Sequence, residues 1–351
     1  NTAVLFDDKG NLVAKYHKMQ LFGEEDMNIP EKSEFVYADT PFGRVGMFIC
    51  FDMIFKSPGL NLTHDLNVTT MLFPTWWFDE LPFLTAVQYH HGWAVTNQVN
   101  LLSSNIHRPI LGSIGSGIHS GQNGYAVYTN ENDNKPKLLL ADIPIDSKSN
   151  KHCDANSKMI NIDVSAILNT SIPSKSDEYS FLSLSMTGVI QKKLVKASDS
   201  INLIDKNLNC NIKYQLLDNK TLKQDYYLIA VNKTRQSIYQ WCEEFCALVK
   251  CKPNVDGNCE SFTNQVDDNL FKSVSLSSSF STKYVYPNAI TNNIKLIPLN
   301  QWKFSIDNKD DKYQAQISVD SIDKPLLVLG LYGRCYQRDP PYNKQMPTHL
   351  L

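Results

Sequence analysis

The stretch Gly43–Phe55, with the sequence GRVGMFICFDMIF, decides the fold of the first part of the chain. Its apolar run ends in Cys50, and the residues after Cys50 have helical spacing. The pattern predicts a strand that turns sharply into a helix, with Cys50 at the turn. Helix-initiating amides favour negative charge, so a cysteine placed there is a candidate nucleophile. A free cysteine can equally serve as a small buried apolar residue.

A second stretch, Tyr16–Pro30, lies before the cysteine and contains Tyr-His-Lys at residues 16–18. A lysine in Tyr-His-Lys followed at this interval by Cys-Phe-Asp resembles the vanin and biotinidase branch of the nitrilase superfamily of carbon–nitrogen hydrolases. The likeness continues in order through Phe73–Trp77, Ser103–His107 and Gly115–Ile118. It therefore covers most of residues 1–142.

The resemblance implies a role for each of three side chains in amide hydrolysis through a thioester. Cys50 would be the nucleophile, and the Lys18 ammonium would stabilise both the thiolate and the developing oxyanion. Glu24 matches the family's second glutamate, which supports the lysine and the leaving amine. The acidic neighbours of Glu24 also fit a solvated loop, so this role depends on the family motif.

No residue in the sequence matches the glutamate that serves the family as general base and precedes the lysine. The first residues, Thr2–Val13, alternate between apolar and polar around a Lys-Gly-Asn turn, which predicts a hairpin. A chain that begins inside a sheet, without a visible signal peptide, is expected to be a fragment or a processed product. On this expectation, about half of the nitrilase-like domain is missing, and that segment is a possible partner.

Substrate-binding residues are predicted next to the nucleophile and at the end of the following strand. In the family, a tryptophan after Pro-Thr lies near the active site, so Trp77 is the preferred wall of the acyl pocket and Trp76 the weaker candidate. Packing in the core is the alternative for both rings. The backbone amide of Phe51 is the second expected donor to the oxyanion.

Secretion is predicted from sequons and cysteines. Five Asn-x-Ser/Thr sites are candidate glycosylation sites: Asn61, Asn67, Asn169, Asn219 and Asn232. Of the eight cysteines, four lie between residues 242 and 259, as expected for disulfides formed in an oxidising compartment. Zinc binding by these cysteines is the alternative, although the cluster lacks a Cys-x2-Cys pair and a nearby histidine. Without Cys50 seven cysteines remain, so one is free or has a partner outside this sequence.

Composition predicts an ordinary globular chain in two parts. The net charge is −2 with 42% hydrophobic and 20% charged residues, and neither a basic stripe nor a bilayer-length apolar run is present. Nucleic-acid binding and a transmembrane segment are therefore not expected. We predict an α/β class: the carboxyl-terminal part of a nitrilase-like αββα sandwich at residues 1–148, then a β-rich, disulfide-containing vanin-type base domain at residues 149–351.

The function implied by the resemblance is hydrolysis of a small linear amide, with pantetheine cleaved to pantothenate and cysteamine. Hydrolysis of biotinyl amides is the alternative within the enzyme class, and a non-catalytic secreted glycoprotein is the alternative outside it. No cofactor or metal is expected. His90 and His91 are adjacent and would face different sides of a helix, which favours a structural role over metal binding. The expected location is extracellular, or a GPI anchor if the carboxyl end is incomplete.

Overall fold

The computed structural model describes residues 1–24, 26–133, 135–146, 157–162, 179–184, 186, 188–217, 222–237, 239–253, 259–261, 270–309 and 312–341. The chain forms two compact units. The first comprises residues 1–79 and 85–182, and the second comprises residues 80–84 and 183–351. Residues 147–156 lie outside the described residues, so the predicted boundary at 148/149 stays a prediction.

The described strands before residue 180 are short. They are β1 Thr2–Phe6, β2 Leu12–His17, β3 Tyr37–Thr40, β4 Gly43–Met47, β5 Thr70–Thr75, β6 Glu80–Leu81, β7 Asn100–Asn105, β8 Gly117–Ser120, β9 Gly124–Tyr128, β10 Lys137–Leu140 and β11 Lys158–Asn161. The α-helix α1 spans Ala86–Asn97, and 3₁₀ turns span Cys50–Ile54 and Pro109–Leu111.

A mixed sheet of six described strands, in the order β3-β4-β5-β7-β8-β9, forms the centre of the first unit. Its middle strands β4, β5 and β7 are parallel, and the outer pairings are antiparallel. The carboxyl ends of parallel strands meet at one edge of a sheet. The chain therefore leaves β4 towards Cys50, β5 towards Trp76 and β7 towards Ile106 along the same edge.

The hairpin predicted at the start of the chain is confirmed, with β1 paired antiparallel to β2. Its turn is closed by Asp7, whose Oδ1 accepts hydrogen bonds from the amides of Lys9 and Asn11. Gly10 has a φ of 81°, in the left-handed region that glycine adopts without steric cost. Asx-type hydrogen bonding and the glycine together fix this turn.

The segment after Cys50 is less regular than predicted. The sequence predicts a helix over Asp52–Asp65 that Pro58-Gly59 interrupts, but the structure has a 3₁₀ turn at Cys50–Ile54 and a separate π-helical turn at Asn61–Asp65. Pro58 has no amide hydrogen and disfavours the α conformation at the residue before it, so one continuous helix cannot form. The apolar spacing of residues 83–97 predicts a helix packed on the sheet, and α1 confirms this prediction.

The second unit is β-rich, as predicted. The described strands from residue 182 onwards are β12 Leu182–Ser183, β13 Ile190–Lys193, β14 Ser198–Asp205, β15 Leu208–Leu216, β16 Asp225–Gln236, β17 Gln240–Pro253, β18 Cys259–Ser261, β19 Phe271–Phe280, β20 Val285–Thr291, β21 Lys295–Leu296, β22 Trp302–Lys309, β23 Lys312–Asp320 and β24 Leu326–Arg334. One antiparallel sheet has the order β13-β16-β17-β24-β20-β21, with β18 against β17, and a second has the order β14-β15-β19-β23-β22.

Disulfides in the second unit confirm the expectation drawn from the cysteines. They join Cys210 to Cys246, Cys242 to Cys335 and Cys251 to Cys259. The first connects β15 of one sheet to β17 of the other. Cys50 is a free thiol, and Cys153 lies outside the described residues.

Candidate active site

Cys50 is the first residue of the 3₁₀ turn that follows β4, and its backbone is strained. Its φ is 49°, in the left-handed region, which costs a non-glycine residue about 1–2 kcal/mol. The thiol is nearly enclosed, with 9% of the residue exposed, and its Sγ donates to the Trp76 carbonyl oxygen at 3.5 Å. Strain of this kind is held in place by the surrounding structure and clusters at functional sites.

The protonation of Cys50 depends on opposing influences. Burial raises the pKa of the thiol above its ordinary value, while the positive charge of Lys18 acts to lower it. Glu24 also acts on this thiol, in the direction that raises its pKa. The structure therefore brings Cys50, Lys18 and Glu24 into one electrostatic group, with the thiol protonated near neutral pH.

Lys18 lies just beyond the end of β2 and is only 2% exposed. Its Nζ donates to Glu24 Oε1 at 2.5 Å. Burial opposes ionisation of Glu24, but the hydrogen bond and charge of Lys18 prevail and lower the pKa of this carboxyl group. Asn1 Nδ2 and the amide of Phe22 also donate to Glu24, so the carboxylate is fixed in the orientation that holds the ammonium.

The two tryptophans after β5 have different surroundings. The carbonyl of Trp76 contacts the Cys50 thiol, and its side chain is 45% exposed, with the ring 5.5 Å from that of Phe78. Trp77 is 6% exposed, and its ring stacks on Tyr89 and packs edge-on against His90 of α1. Trp76 is thus the more accessible ring and Trp77 is packed in the core, and the assignment of a pocket wall to either ring stays a prediction.

Phe51 belongs to an aromatic cluster beside the thiol. Its ring lies 5.0 Å from Phe22 and 5.2 Å from Phe55, and Phe22 lies 6.2 Å from Phe78. The residue itself is 6% exposed. Phe22 links this cluster to the Lys18–Glu24 ion pair, because its backbone amide donates to Glu24.

Asp52 and Tyr16 were missed by the sequence reasoning, although both stand in the motifs that identify the site. Tyr16 Oη donates to Asp52 Oδ2 at 2.7 Å, and Asp52 is completely buried. Burial raises the pKa of Asp52 to about 6, against the opposing effect of its hydrogen bonds. A charged residue in an otherwise apolar stretch, FICFDMIF, is the signal that could have selected Asp52.

Asn105, at the end of β7, fixes the tryptophan loop. Its Oδ1 accepts from the amide of Trp77 at 2.8 Å, and its Nδ2 donates to the Ile114 carbonyl at 2.6 Å. The loop that carries the Trp76 carbonyl is thereby tied to the neighbouring strand. Asn105 lies within the Ser103–His107 motif, whose sequence predicts no role for it.

The candidate glycosylation sites have contrasting environments. Asn67 is exposed and Asn61 is half-buried, with its Nδ2 donating to Asp65. Asn232 is 3% exposed, and its Oδ1 accepts from Arg338, an environment that leaves no room for a glycan. Asn169 and Asn219 lie outside the described residues.

His90 and His91 lie in α1, and both are buried. The ring of His90 packs edge-on against Phe73 at 5.0 Å, and burial lowers the pKa of His90 to about 3. The ring of His91 lies 5.6 Å from that of His119. Both histidines therefore belong to the core of the first unit and are neutral at physiological pH.

Comparisons with known proteins show the family of the chain. Two family models match the chain: Carbon-nitrogen hydrolase over residues 1–62, and Vanin C-terminal domain over residues 172–339. Pantetheinase of Mus musculus is 33% identical over 97% of this chain, and biotinidase of Homo sapiens is 27% identical over 97%. The chain belongs to the vanin and biotinidase branch of the carbon–nitrogen hydrolases. The residues that match the Carbon-nitrogen hydrolase model include Lys18, Glu24 and Cys50.

This vanin-family chain spans 63% of the length of the mouse pantetheinase and 64% of that of the human biotinidase. Among solved structures, the Saccharomyces cerevisiae protein Nit3, described as a member of the nitrilase superfamily, is 23% identical. That match covers 37% of this chain and 48% of Nit3, with a TM-score of 0.32. Within the described residues, no helix combines the length and apolar character required to cross a membrane.

Proposed function

We propose that the protein represented by this chain is a hydrolase that cleaves a linear amide through a thioester on Cys50. The main support for this proposal is the buried Cys50 thiol, whose pKa the positive charge of Lys18 acts to lower. Glu24 holds that ammonium through a hydrogen bond of 2.5 Å. A nucleophile, a fixed cation and a neighbouring carboxylate are the groups that acyl transfer requires.

The reaction begins with loss of the thiol proton to a base and attack of sulfur on the amide carbon. The C=O bond opens to an oxyanion, stabilised by Lys18 and by the Phe51 backbone amide. Collapse of this intermediate breaks the C–N bond, and the amine leaves with the proton. Water then attacks the thioester, which releases the acid and restores the thiol.

This chain has no counterpart to the glutamate that serves the family as general base. Glu24 does not replace it, because its oxygens already accept from Lys18, Asn1 and the Phe22 amide. Its lowered pKa also makes it a weak proton acceptor. The proposal therefore concerns the full-length protein rather than this chain alone.

Pantetheine is the proposed substrate, because relatives named pantetheinase are similar over nearly all of this chain. Biotinyl amides are the second candidate, supported by the similarity to human biotinidase. Turnover of pantetheine and of biocytin by the full-length protein and its Cys50→Ala variant distinguishes the two. Full activity after Cys50→Ala would overturn the mechanism. Inactivity of the full-length protein on both amides would favour a non-catalytic glycoprotein.

We propose that the protein enters the secretory pathway, because the described residues contain three disulfides and an exposed sequon at Asn67. Enzymatic removal of N-linked glycans from the secreted protein is expected to reduce its apparent mass. Asn67→Gln is expected to remove one glycan, whereas Asn232→Gln leaves the glycan count unchanged. Retention of the protein in the cytosol with free thiols would contradict this location.

A further inference from the structure

Asp52 is a completely buried carboxylate that accepts three hydrogen bonds. Its Oδ2 accepts from Tyr16 Oη at 2.7 Å and from the amide of Ile49 at 2.9 Å. Its Oδ1 accepts from the amide of Gln20 at 2.8 Å. Both oxygens are therefore occupied, as expected for an ionised group without access to water.

These three donors come from the two segments that carry the candidate catalytic groups. Tyr16 and Gln20 lie two residues before and two residues after Lys18, so the segment is held on both sides of the lysine. Ile49 immediately precedes Cys50 at the strained turn. One side chain thus connects the backbone that bears the ammonium to the backbone that bears the thiol.

Capping of the 3₁₀ turn does not account for this arrangement. The bond from the Ile49 amide is sufficient to fix the start of the turn, and it leaves Oδ1 unused. Burial of a carboxylate costs several kcal/mol in order-of-magnitude terms before compensation by hydrogen bonds. The bonds to Tyr16 and Gln20 supply that compensation and serve the lysine segment rather than the turn.

We infer that Asp52 is a positioning residue, which fixes the Lys18 ammonium relative to the Cys50 thiol through Tyr16, Gln20 and Ile49. This inference rests on the proposed function in one respect, because only that function makes the position of the Lys18 ammonium relative to the Cys50 thiol important. Its test measures the thiol directly and does not require amide turnover.

The informative variant is Asp52→Asn, which preserves shape and removes the charge. An amide group presents one oxygen and one NH₂. Whichever way it is oriented, the NH₂ faces a backbone amide, that of Gln20 or that of Ile49, and one connection is lost. Tyr16→Phe removes a single hydrogen bond and leaves both backbone connections. Asp39→Asn is the matched control, because Asp39 is exposed and pairs with Arg44.

The measurement is the pH dependence of Cys50 alkylation by iodoacetamide. Labelling is followed by mass spectrometry of the Cys50 peptide, so that Cys153 does not contribute. Lys18→Met provides the reference in which the lysine charge is absent. In Asp52→Asn we expect the apparent pKa of Cys50 to rise towards that reference, because the ammonium is no longer held near the sulfur.

The size of the effect follows from the thiolate population. Each unit by which the apparent pKa of Cys50 rises lowers the thiolate fraction at neutral pH about tenfold. The more basic thiolate reacts about threefold faster, which offsets part of this loss. A net loss of about threefold per unit is therefore expected for Asp52→Asn. Tyr16→Phe is expected to shift the profile in the same direction by less, and Asp39→Asn to leave it unchanged.

The sign of the shift separates positioning from simple electrostatics. Loss of a negative charge near the thiol, with Lys18 still in place, would lower the apparent pKa of Cys50. A lowered or unchanged value in Asp52→Asn would therefore overturn the inference. If Asp52→Asn does not fold, Tyr16→Phe carries the test, and an unchanged profile in that variant overturns it.

Failure of this inference and failure of the proposed function have different signatures. A raised pKa in Asp52→Asn, in a full-length protein that hydrolyses neither pantetheine nor biocytin, would support the positioning role and reject the function. An unchanged pKa in an active protein would do the reverse.

Discussion

The Lys18 ammonium and the Glu24 carboxylate form an ion pair of 2.5 Å, and the two charges act on the Cys50 thiol with opposite sign. Glu24 thus has two separable effects. It holds the lysine in place, and it weakens the electrostatic benefit of that lysine for the thiolate. A single substitution is expected to reveal both.

Replacement of Glu24 by glutamine is expected to make the thiol more reactive and the enzyme less active. Removal of the negative charge lowers the pKa of Cys50, so alkylation at neutral pH becomes faster. The glutamine oxygen still accepts from Lys18, so the ammonium stays near the sulfur, but the hydrogen bond is weaker and fixes the lysine less precisely towards the oxyanion. We therefore expect kcat/KM for amide hydrolysis to fall about tenfold or more. Alkylation and turnover assays on the full-length protein measure the two effects. Slower alkylation would contradict the assigned sign.

Backbone strain at Cys50 leads to a second prediction. Glycine adopts the observed φ of 49° without penalty, whereas alanine retains the strain. After allowing for the greater flexibility of glycine in the unfolded chain, Cys50→Gly is expected to be more stable than Cys50→Ala by about 0.5–1 kcal/mol. Urea unfolding followed by tryptophan fluorescence tests this. Equal stabilities, or a more stable alanine variant, would show that the turn is relaxed.

Much of this turn could be predicted from the sequence, because an apolar run that ends in Cys50 fixes both the strand and the residue at its end. The Lys18–Glu24 pairing could be predicted only through the family motif. The role of Asp52 could not be assigned, since two of its three partners, Tyr16 and Gln20, are distant along the chain. Two of the three donors are also backbone amides, which have no sequence signature. Trp76 and Trp77 show the same limit, because adjacent residues at a strand end point in different directions.

The buried ring of His90 predicts a loss of stability in acid. Its pKa is lowered from the ordinary 6.5 to about 3 by burial. Between these values the unfolded chain binds a proton that the folded chain excludes. The contribution of the neutral His90 ring to the free energy of unfolding is therefore fully present above about pH 6.5 and is lost progressively as the pH falls towards 3. The acids Asp52 and Asp79 have raised pKa values and oppose this trend, so the wild type alone cannot isolate it.

A comparison of His90→Phe with the wild type at two pH values isolates the histidine. Phenylalanine retains an edge-on contact with Phe73 and cannot be protonated. From pH 8 to pH 5, the variant is expected to gain about 2 kcal/mol of unfolding free energy relative to the wild type. His64→Phe is the control, because His64 is exposed and bonded to Asn97. Parallel pH profiles for His90→Phe and the wild type would contradict burial of a neutral imidazole.

The disulfides of the second unit allow a comparison based on loop length. Cys210–Cys246 closes 36 residues and Cys251–Cys259 closes 8, and all four cysteines are at most 2% exposed. Replacing either pair by alanine removes two buried sulfur atoms, so the difference between the two variants is expected to report mainly chain entropy in the unfolded state. Loss of the longer loop is expected to cost about 1 kcal/mol more than loss of the shorter one. Guanidinium unfolding of the two double variants provides the measurement. A larger cost for the loss of Cys251–Cys259 would mean that contacts in the folded state, rather than loop closure in the unfolded state, determine what these disulfides contribute to stability.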